Sequence, residues 1–422
     1  MIKDKDTIIA SLDVGTSKVC ALVARRRLDG GPELLGMGVA PSQGLRKGVV
    51  VNIRDVQESV RAAMDEATRS SSAFSSGVYV SVTGSHLELF NRWGSIRTPD
   101  YSIPLSYDQV DRAINAAYPA ELPPDKQVVH MLPQTYAVDG LTGIRNPVGM
   151  HVNRLDVETL CVVTAAAPMQ QLMHAIQNSR TKIHGMVMAG LACGEAVLTE
   201  DEKEAGVLLL EIGAGATTVA VFQGGTLRNA TVLPVGGYQF TTDIALALNT
   251  SFDVAEEAKL RYGQVLHESI GDERVEIRAF GDRRTVQVER REICRYLHDR
   301  AEELLRLSHM KVQGLGYTGI LPAGMVLTGG GANLPGMDTM ARQIFNTPVR
   351  IGRPEGLRGQ PEGLRDPIFA ATTGALLWSL GHEAHRERIR QSAKSHRIGD
   401  RYKYGHRGPL SWIRGQAKKV AL

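Results

Sequence analysis

Apolar residues open the chain as short unbroken runs and then change to three- and four-residue spacing. The runs Ile8 to Leu12, Val19 to Ala24 and Leu34 to Val39 predict strands, with a shorter one at Val49-Val50-Val51. From Asp55 to Arg69 the positions Val56, Val60, Ala63, Met64 and Ala67 recur with helical spacing, and a loop from Ser70 to Ser76 leads to a buried strand, Val78 to Val82. Two hundred residues later the opening pattern returns. Val207 to Leu210 is an apolar run, followed by Glu211 and Ile212, then Gly213-Ala214-Gly215-Ala216, then Thr217 to Phe222. At the start of the chain the equivalent is Ile8 to Leu12, Asp13, the turn Gly15-Thr16-Ser17-Lys18, and Val19 onward. Each is a strand, a carboxylate, a glycine turn and a second strand, which suggests a duplicated architecture.

The stretch between the two copies differs in character. From about His86 to Val163 the sequence carries Pro99 to Pro104, a helix from Ser106 to Tyr118, strands at Gln127 to Leu132 and Tyr136 to Asp139, and Gly140 to Met150. Core-like residues resume only at Thr159 to Val163, so this region is predicted to be an inserted α+β unit. Helices follow at Met169 to Ser179 and Ala189 to Leu198. Beyond Thr242 the pattern is mostly helical, with a charged interlude at Gly271 to Arg284. The last core elements are the strand Met325 to Leu327, the run Thr328 to Asn333, a helix from Gly336 to Phe345 and a closing helix from Pro367 to Leu380.

Composition narrows the class. With 422 residues, 43% of them hydrophobic and 22% charged, the chain can build two cores. Cys20, Cys161, Cys193 and Cys294 are scattered and read as reduced thiols of a cytosolic protein. Met1 to Asp6 leads directly into a strand, so no signal peptide is expected, and no run reaches the roughly 20 apolar residues of a membrane span. The net charge is +4, yet residues 382–422 hold eleven Lys/Arg against three acids, leaving the body near −4. An acidic body with a basic tail argues against nucleic acid as the partner.

The repeated turn has a chemistry of its own. A hairpin tip can turn backbone N–H groups toward phosphate while its carboxylate faces hydrated Mg²⁺, and two such tips would grip a polyphosphate from both sides. Together with the late Leu327-Thr328-Gly329-Gly330-Gly331 turn and two connecting helices, the arrangement resembles the actin, heat-shock chaperone and sugar kinase superfamily. Within it the chain is similar to the FtsA family of bacterial cell-division proteins, through His130 to Gly140, Asn146 to Met150, Ala255 to Gly263 and Ile320 to Pro335.

The resemblance implies an α/β, actin/ribonuclease-H-like two-domain fold with an inserted small α+β subdomain and a C-terminal amphipathic helix. Residues 1–85, 164–198 and 367–381 would form the first half, 86–163 the insert, 199–240 with 317–366 the second half and 241–316 its smaller helical subdomain. Residues 382–407 would be a flexible basic linker and 408–422 the membrane helix. It assigns ATP to Asp13, Gly15, Thr16, Ser17, Lys18, Glu211, Gly213, Gly215, Thr217, Glu256, Lys259, Gly329, Gly330 and Gly331. Mg²⁺ falls to Asp13 and Glu211. The three late glycines would let the backbone pass close to adenine and α-phosphate. Glu211 and Ala216 depart from the usual Asp-x-Gly-Gly-Gly-Thr, and Ala189 stands where hydrolases of the superfamily hold a water-orienting Gln or Glu, with Glu195 facing elsewhere. ATP binding with at most weak hydrolysis is therefore expected.

The tail carries a separate signal. On a helical wheel Leu410, Ile413, Ala417, Val420 and Ala421 fall within about 100° of arc, and Arg414, Lys418, Lys419 and Trp412 lie outside it. This is the composition of an in-plane helix on anionic lipid. A polar spacer from Glu383 to Arg407 would give it a reach of roughly 30 Å. Burial of Leu410, Trp412, Ile413 and Val420 contributes at most about 1.5–3 kcal/mol each, so one tail binds reversibly and an array binds firmly. By resemblance the partners are the FtsZ C-terminal tail, reached through Arg300 and Glu303, further copies of the chain in filaments, other division proteins and inner-membrane lipids at the septum. Two other readings remain at this point, a small-molecule kinase of the same superfold and a pilus-type inner-membrane assembly protein. A kinase would need a catalytic carboxylate in the cleft, and the tail would then be unexplained.

Overall fold

A computed structural model describes residues 7–26, 31–69, 77–268, 270–280, 285–317 and 321–395. Continuous apolar runs produce two central sheets buried on both faces, as expected of strands covered by helices on either side. In the first, Ile183–Met188, Val78–Val82, Thr7–Val14, Lys18–Arg26 and Glu33–Pro41 lie side by side in that order. In the second the order is Thr226–Leu233, Thr217–Gln223, Val207–Ile212, Met325–Thr328 and Val349–Ile351. Each sheet has the same plan. Its first strand pairs antiparallel with the next along the chain and parallel with a later one on its other side. The repeat seen in the turns thus extends to the topology of both halves.

Helix Ile53–Arg69 covers the first sheet with Val56, Val60, Ala63, Met64 and Ala67. The connecting helix Ala189–Val197 and the closing helix Ala370–Ser395 run between the halves and share one buried cluster with both sheets. They cross at Gly374, where an added Cβ would lie 1.7 Å from the Ala192 carbonyl oxygen. Among the described residues no helix is long and apolar enough to cross a membrane.

The insert is a four-stranded sheet ordered Leu87–Arg97, Arg154–Ala165, Lys126–Val138 and Leu141–Ile144. Helix Tyr107–Ala116 packs on it through Val110 and Ala113, against Tyr136, Leu155 and Val157. The insert also rests on the second half. Leu87, Leu160 and Val162 share a core with Leu227, Ala230 and Val232, the Thr226 hydroxyl lies 3.2 Å from the Gln134 amide oxygen, and Arg145 pairs with Glu204.

Three expectations change. The two strands placed at Gln127 to Leu132 and Tyr136 to Asp139 are one strand, Lys126–Val138, because Pro133 sits opposite Thr159 at an irregularity that needs no amide from it. The charged interlude holds a hairpin, Arg274–Arg278 with Thr285–Glu289, whose Val275 and Ile277 are buried. The spacer taken as flexible from Glu383 is helical through Ser395. There Glu383 accepts from the Tyr79 hydroxyl and from Arg386, and His382 stacks on Trp378 at 4.6 Å. Aromatic anchors upstream and an i, i+3 ion pair carry the helix on where composition alone suggested a loop.

The same junction buries His130, whose Nε2 accepts the Met188 N–H at 3.0 Å and whose ring lies 5.1 Å from Trp378. Burial pushes His130 down to about 3, with His382 adding repulsion, and burial pushes His382 down to about 4. Tyr79, His184, Glu383, His385 and Arg386 surround the pair. Both folded values lie below that of an unfolded histidine, so the unfolded chain binds more protons and stability falls as pH drops below about 6.5. His130 alone should cost about 2 kcal/mol at pH 5. Thermal unfolding midpoints should therefore fall between pH 7 and pH 5, and His130→Gln should reduce that fall.

Candidate functional site

The two hairpin tips meet across the cleft between the halves. Each is closed by the same bond: the Gly15 N–H donates to the Lys18 carbonyl at 3.0 Å, and the Gly213 N–H to the Ala216 carbonyl at 2.9 Å. A Cβ on Gly215 would lie 2.5 Å from Thr16 Oγ1 and 3.1 Å from Lys47 Cα, so only glycine lets the tips approach this closely. The Tyr238 hydroxyl adds a 3.3 Å bond to the Thr16 carbonyl. The second tip is held from behind by helix Gly237–Ala247, where the Gly237 and Tyr238 N–H groups donate to the Gly213 and Ala214 carbonyls at 2.9 and 2.8 Å.

Asp13 and Glu211 lie near the ends of the first strands of the two hairpins, partly accessible. Burial raises the Asp13 carboxyl, with Lys18 and the Ser81 hydroxyl drawing it back down. Burial also pushes Glu211 up to about 7; Thr218, donating at 2.8 Å, lowers it, and Asp13 raises it further. The Asp13 charge thus makes Glu211 harder to ionise, and a cation beside the two carboxylates would offset that repulsion and the burial of both. Lys18 donates to the Ile368 carbonyl at 2.5 Å and lies 5.3 Å from the centre of the Phe369 ring.

The remaining expected residues sort into groups. Glu256 and Lys259 do share a helix face, joined at 2.7 Å, and Lys259 also reaches the Gly237 carbonyl at 3.2 Å and Thr241 at 2.9 Å. That places them beside the second tip. Thr217 is fully buried and commits its hydroxyl to the Val235 carbonyl at 2.8 Å, so it shapes the loop. Gly329 and Gly331 have a reason in packing: a Cβ on either would lie 2.6 or 2.3 Å from Ile212 of the second hairpin, while Gly330 faces Ile368. Ser17 sits at the first tip, where its carbonyl accepts the Ser42 N–H at 3.1 Å. Ala189 begins the connecting helix, buried, and Glu195 is turned to Lys203 at 3.2 Å.

Arg300 and Glu303 are paired within the chain. Arg300 forks onto Asp243 at 2.6 and 3.0 Å and also binds Glu303. An open cleft of about 550 Å³ lies nearer the start of the same helix, Arg290–Gly314, lined by His267, Glu268, Glu289, Arg291, Glu292 and Arg295. Its lining joins His267 and Glu268 to the end of the hairpin at Glu289 and the start of the helix, which the sequence alone does not place together. Residues 408–422, including Leu410, Trp412, Ile413, Arg414, Ala417, Lys418, Lys419 and Val420, lie outside the described residues.

Paired sheets of one topology, closed on each other by two glycine hairpins and carrying an inserted α+β unit, define an actin-like protein. A family model for "SHS2 domain inserted in FTSA" matches residues 84–163, and one for "Cell division protein FtsA" matches residues 208–374. The FtsA of Pseudomonas aeruginosa is 36% identical over 88% of this chain and 89% of its own length, and that of Escherichia coli is 33% identical over 91% and 93%. The chain belongs to the FtsA family of cell division proteins. Among solved structures it shares its fold with the PilM-PilN type IV pilus biogenesis complex, at a TM-score of 0.62 and 17% identity over 88% of this chain and 98% of that one. MreB5 of Spiroplasma citri bound to ADP gives a TM-score of 0.55 at 13% identity, over 90% and 98%.

Substituting Gly215→Val should keep the tips apart. Nucleotide affinity, read by displacement of a fluorescent ATP analogue, should fall by about tenfold or more, the equivalent of 1.4 kcal/mol. The thermal unfolding midpoint without nucleotide should change little.

Proposed function

We propose that this chain is an ATP-binding, actin-like scaffold that polymerises on the cytoplasmic face of the inner membrane and anchors the FtsZ ring there. The observation that carries the reading is the joint between the halves, where Asp13, Glu211 and Lys18 converge under two facing glycine tips. Membership of a cell-division family supports the setting.

In this reading the Gly15-Thr16-Ser17 and Gly213-Ala214-Gly215 turns offer backbone N–H groups to phosphate, and Lys18 supplies positive charge. Glu256 and Lys259 stand beside the second tip, placed for the ribose or base. Asp13 and Glu211 would hold Mg²⁺, which screens the charge of the phosphates when bound. Their raised carboxyls fit such a cation, because its charge offsets the burial and repulsion that oppose ionisation. Glu195 is occupied with Lys203, and Ala189 and Ala216 have no group to orient water or phosphate. Bound ATP would therefore persist, holding the halves in one relative position suited to self-association.

The terminal segment 408–422 then acts as the membrane anchor, and the cleft by Arg291 and Arg295 receives the FtsZ tail. Arg300 and Glu303 serve that site by fixing the helix through Asp243. Trp412→Glu should release the full-length protein from anionic vesicles in co-sedimentation while ATP binding is retained; continued sedimentation would exclude this anchor. Arg295→Glu should weaken binding of an FtsZ C-terminal peptide by about tenfold in fluorescence anisotropy. Unchanged affinity would move the docking site elsewhere.

A further inference from the structure

One short segment, Asp366 to Phe369, is held by the first hairpin and by the Gly329–Asn333 turn of the second half, and leads directly into the closing helix. From the first half, Lys18 donates to the Ile368 carbonyl at 2.5 Å and covers the Phe369 ring. From the second half, the Gly329 N–H donates to the Pro367 carbonyl at 3.2 Å and the Asn333 side-chain amide to the Asp366 carboxylate at 2.8 Å. That carboxylate oxygen also accepts the Ile368 N–H at 3.0 Å, fixing the turn from within. Four consecutive residues therefore connect both halves to the first turn of a helix 26 residues long.

The helix is braced downstream. The Ser11 hydroxyl donates to the Thr372 carbonyl at 2.8 Å, Gly374 abuts the connecting helix, Trp378 and His382 pack on Tyr79 of the first sheet, and Trp378 meets His130 of the insert. Its last described residue, Ser395, precedes the segment that carries the basic amphipathic pattern. A displacement of its first turn is thus applied to a rigid rod rather than absorbed by a loop.

We propose that Lys18 is a relay: phosphate bound between the hairpins draws its ammonium from the Ile368 carbonyl, unseats the Asp366–Phe369 turn and shifts the start of the closing helix. The inference rests on the reading of the cleft as an ATP site. Its driving force is the preference of an ammonium for an anionic oxygen over a neutral carbonyl, because only the phosphate oxygen adds a full opposite charge to the hydrogen bond. Lys18 is a positioning residue here, acting through Ile368 on a helix that does not itself touch the ligand. Nucleotide occupancy would then be communicated to the C-terminal segment along one covalent element.

The test is hydrogen–deuterium exchange of the full-length protein with and without saturating Mg-ATP. Slower exchange at residues 13–18 and 213–217 reports nucleotide binding itself. The relay requires, in the same sample, exchange at residues 366–374 to rise by about threefold or more, as for a local opening. Lys18→Met should produce that rise without nucleotide. Asp366→Asn, which weakens the second-half leg and leaves Lys18 in place, should also raise it while the hairpins remain protected by ATP. Protection of the hairpins with unchanged exchange at 366–374 would overturn the relay and leave the ATP reading standing. No protection of the hairpins would overturn the ATP reading and the relay with it.

Discussion

Two helices that pass with no side chain between them hold this molecule together. At Gly374 the closing helix comes so near the Ala192 carbonyl that even a methyl group is excluded. Everything else takes its position from that crossing: the sheets pack on either side of it, the insert leans on its far end, and the hairpin tips meet above it. Interiors packed this densely transmit displacement instead of absorbing it. The cleft and the junction under the insert are therefore parts of one mechanical unit, although they lie on different faces.

Much of this was legible in the chain. The repeated strand, carboxylate and glycine turn announced the duplication, since the hairpin residues are local and their side-chain needs are written in adjacent positions. The Glu256/Lys259 face followed from helical spacing. What escaped depended on distant contacts. Pro133 looked like a break until the irregularity opposite Thr159 accommodated it. Glu383 to Ser395 read as a polar spacer because its stabilising partners, Tyr79 and Trp378, are remote in sequence or belong to the preceding turns. The packing need at Gly331 escaped for the same reason. A glycine reports that something lies close by, and only the fold shows that the neighbour is Ile212.

The cleft is where the fold gives up stability. Two carboxylates are brought together in a poorly solvated place, opposed by the Lys18 ammonium, which is itself turned toward a carbonyl. Hydrophobic substitutes would pack better there. Groups held against their own solvation in this way cluster at functional sites. The apolar cluster of the second half, built on Leu208, Leu210, Ile293, Leu297 and Leu304, supplies the stability that the cleft lacks.

The contact between the insert and the second sheet also has a protective side. Strand Thr226–Leu233 is the outermost of its sheet, and an outer strand exposes a row of backbone groups able to recruit a stranger's strand. Here Leu227, Ala230 and Val232 are sealed under Leu87, Leu160 and Val162, and Thr226 meets Gln134. With the insert packed over this strand, a foreign strand has less room to reach its outer edge.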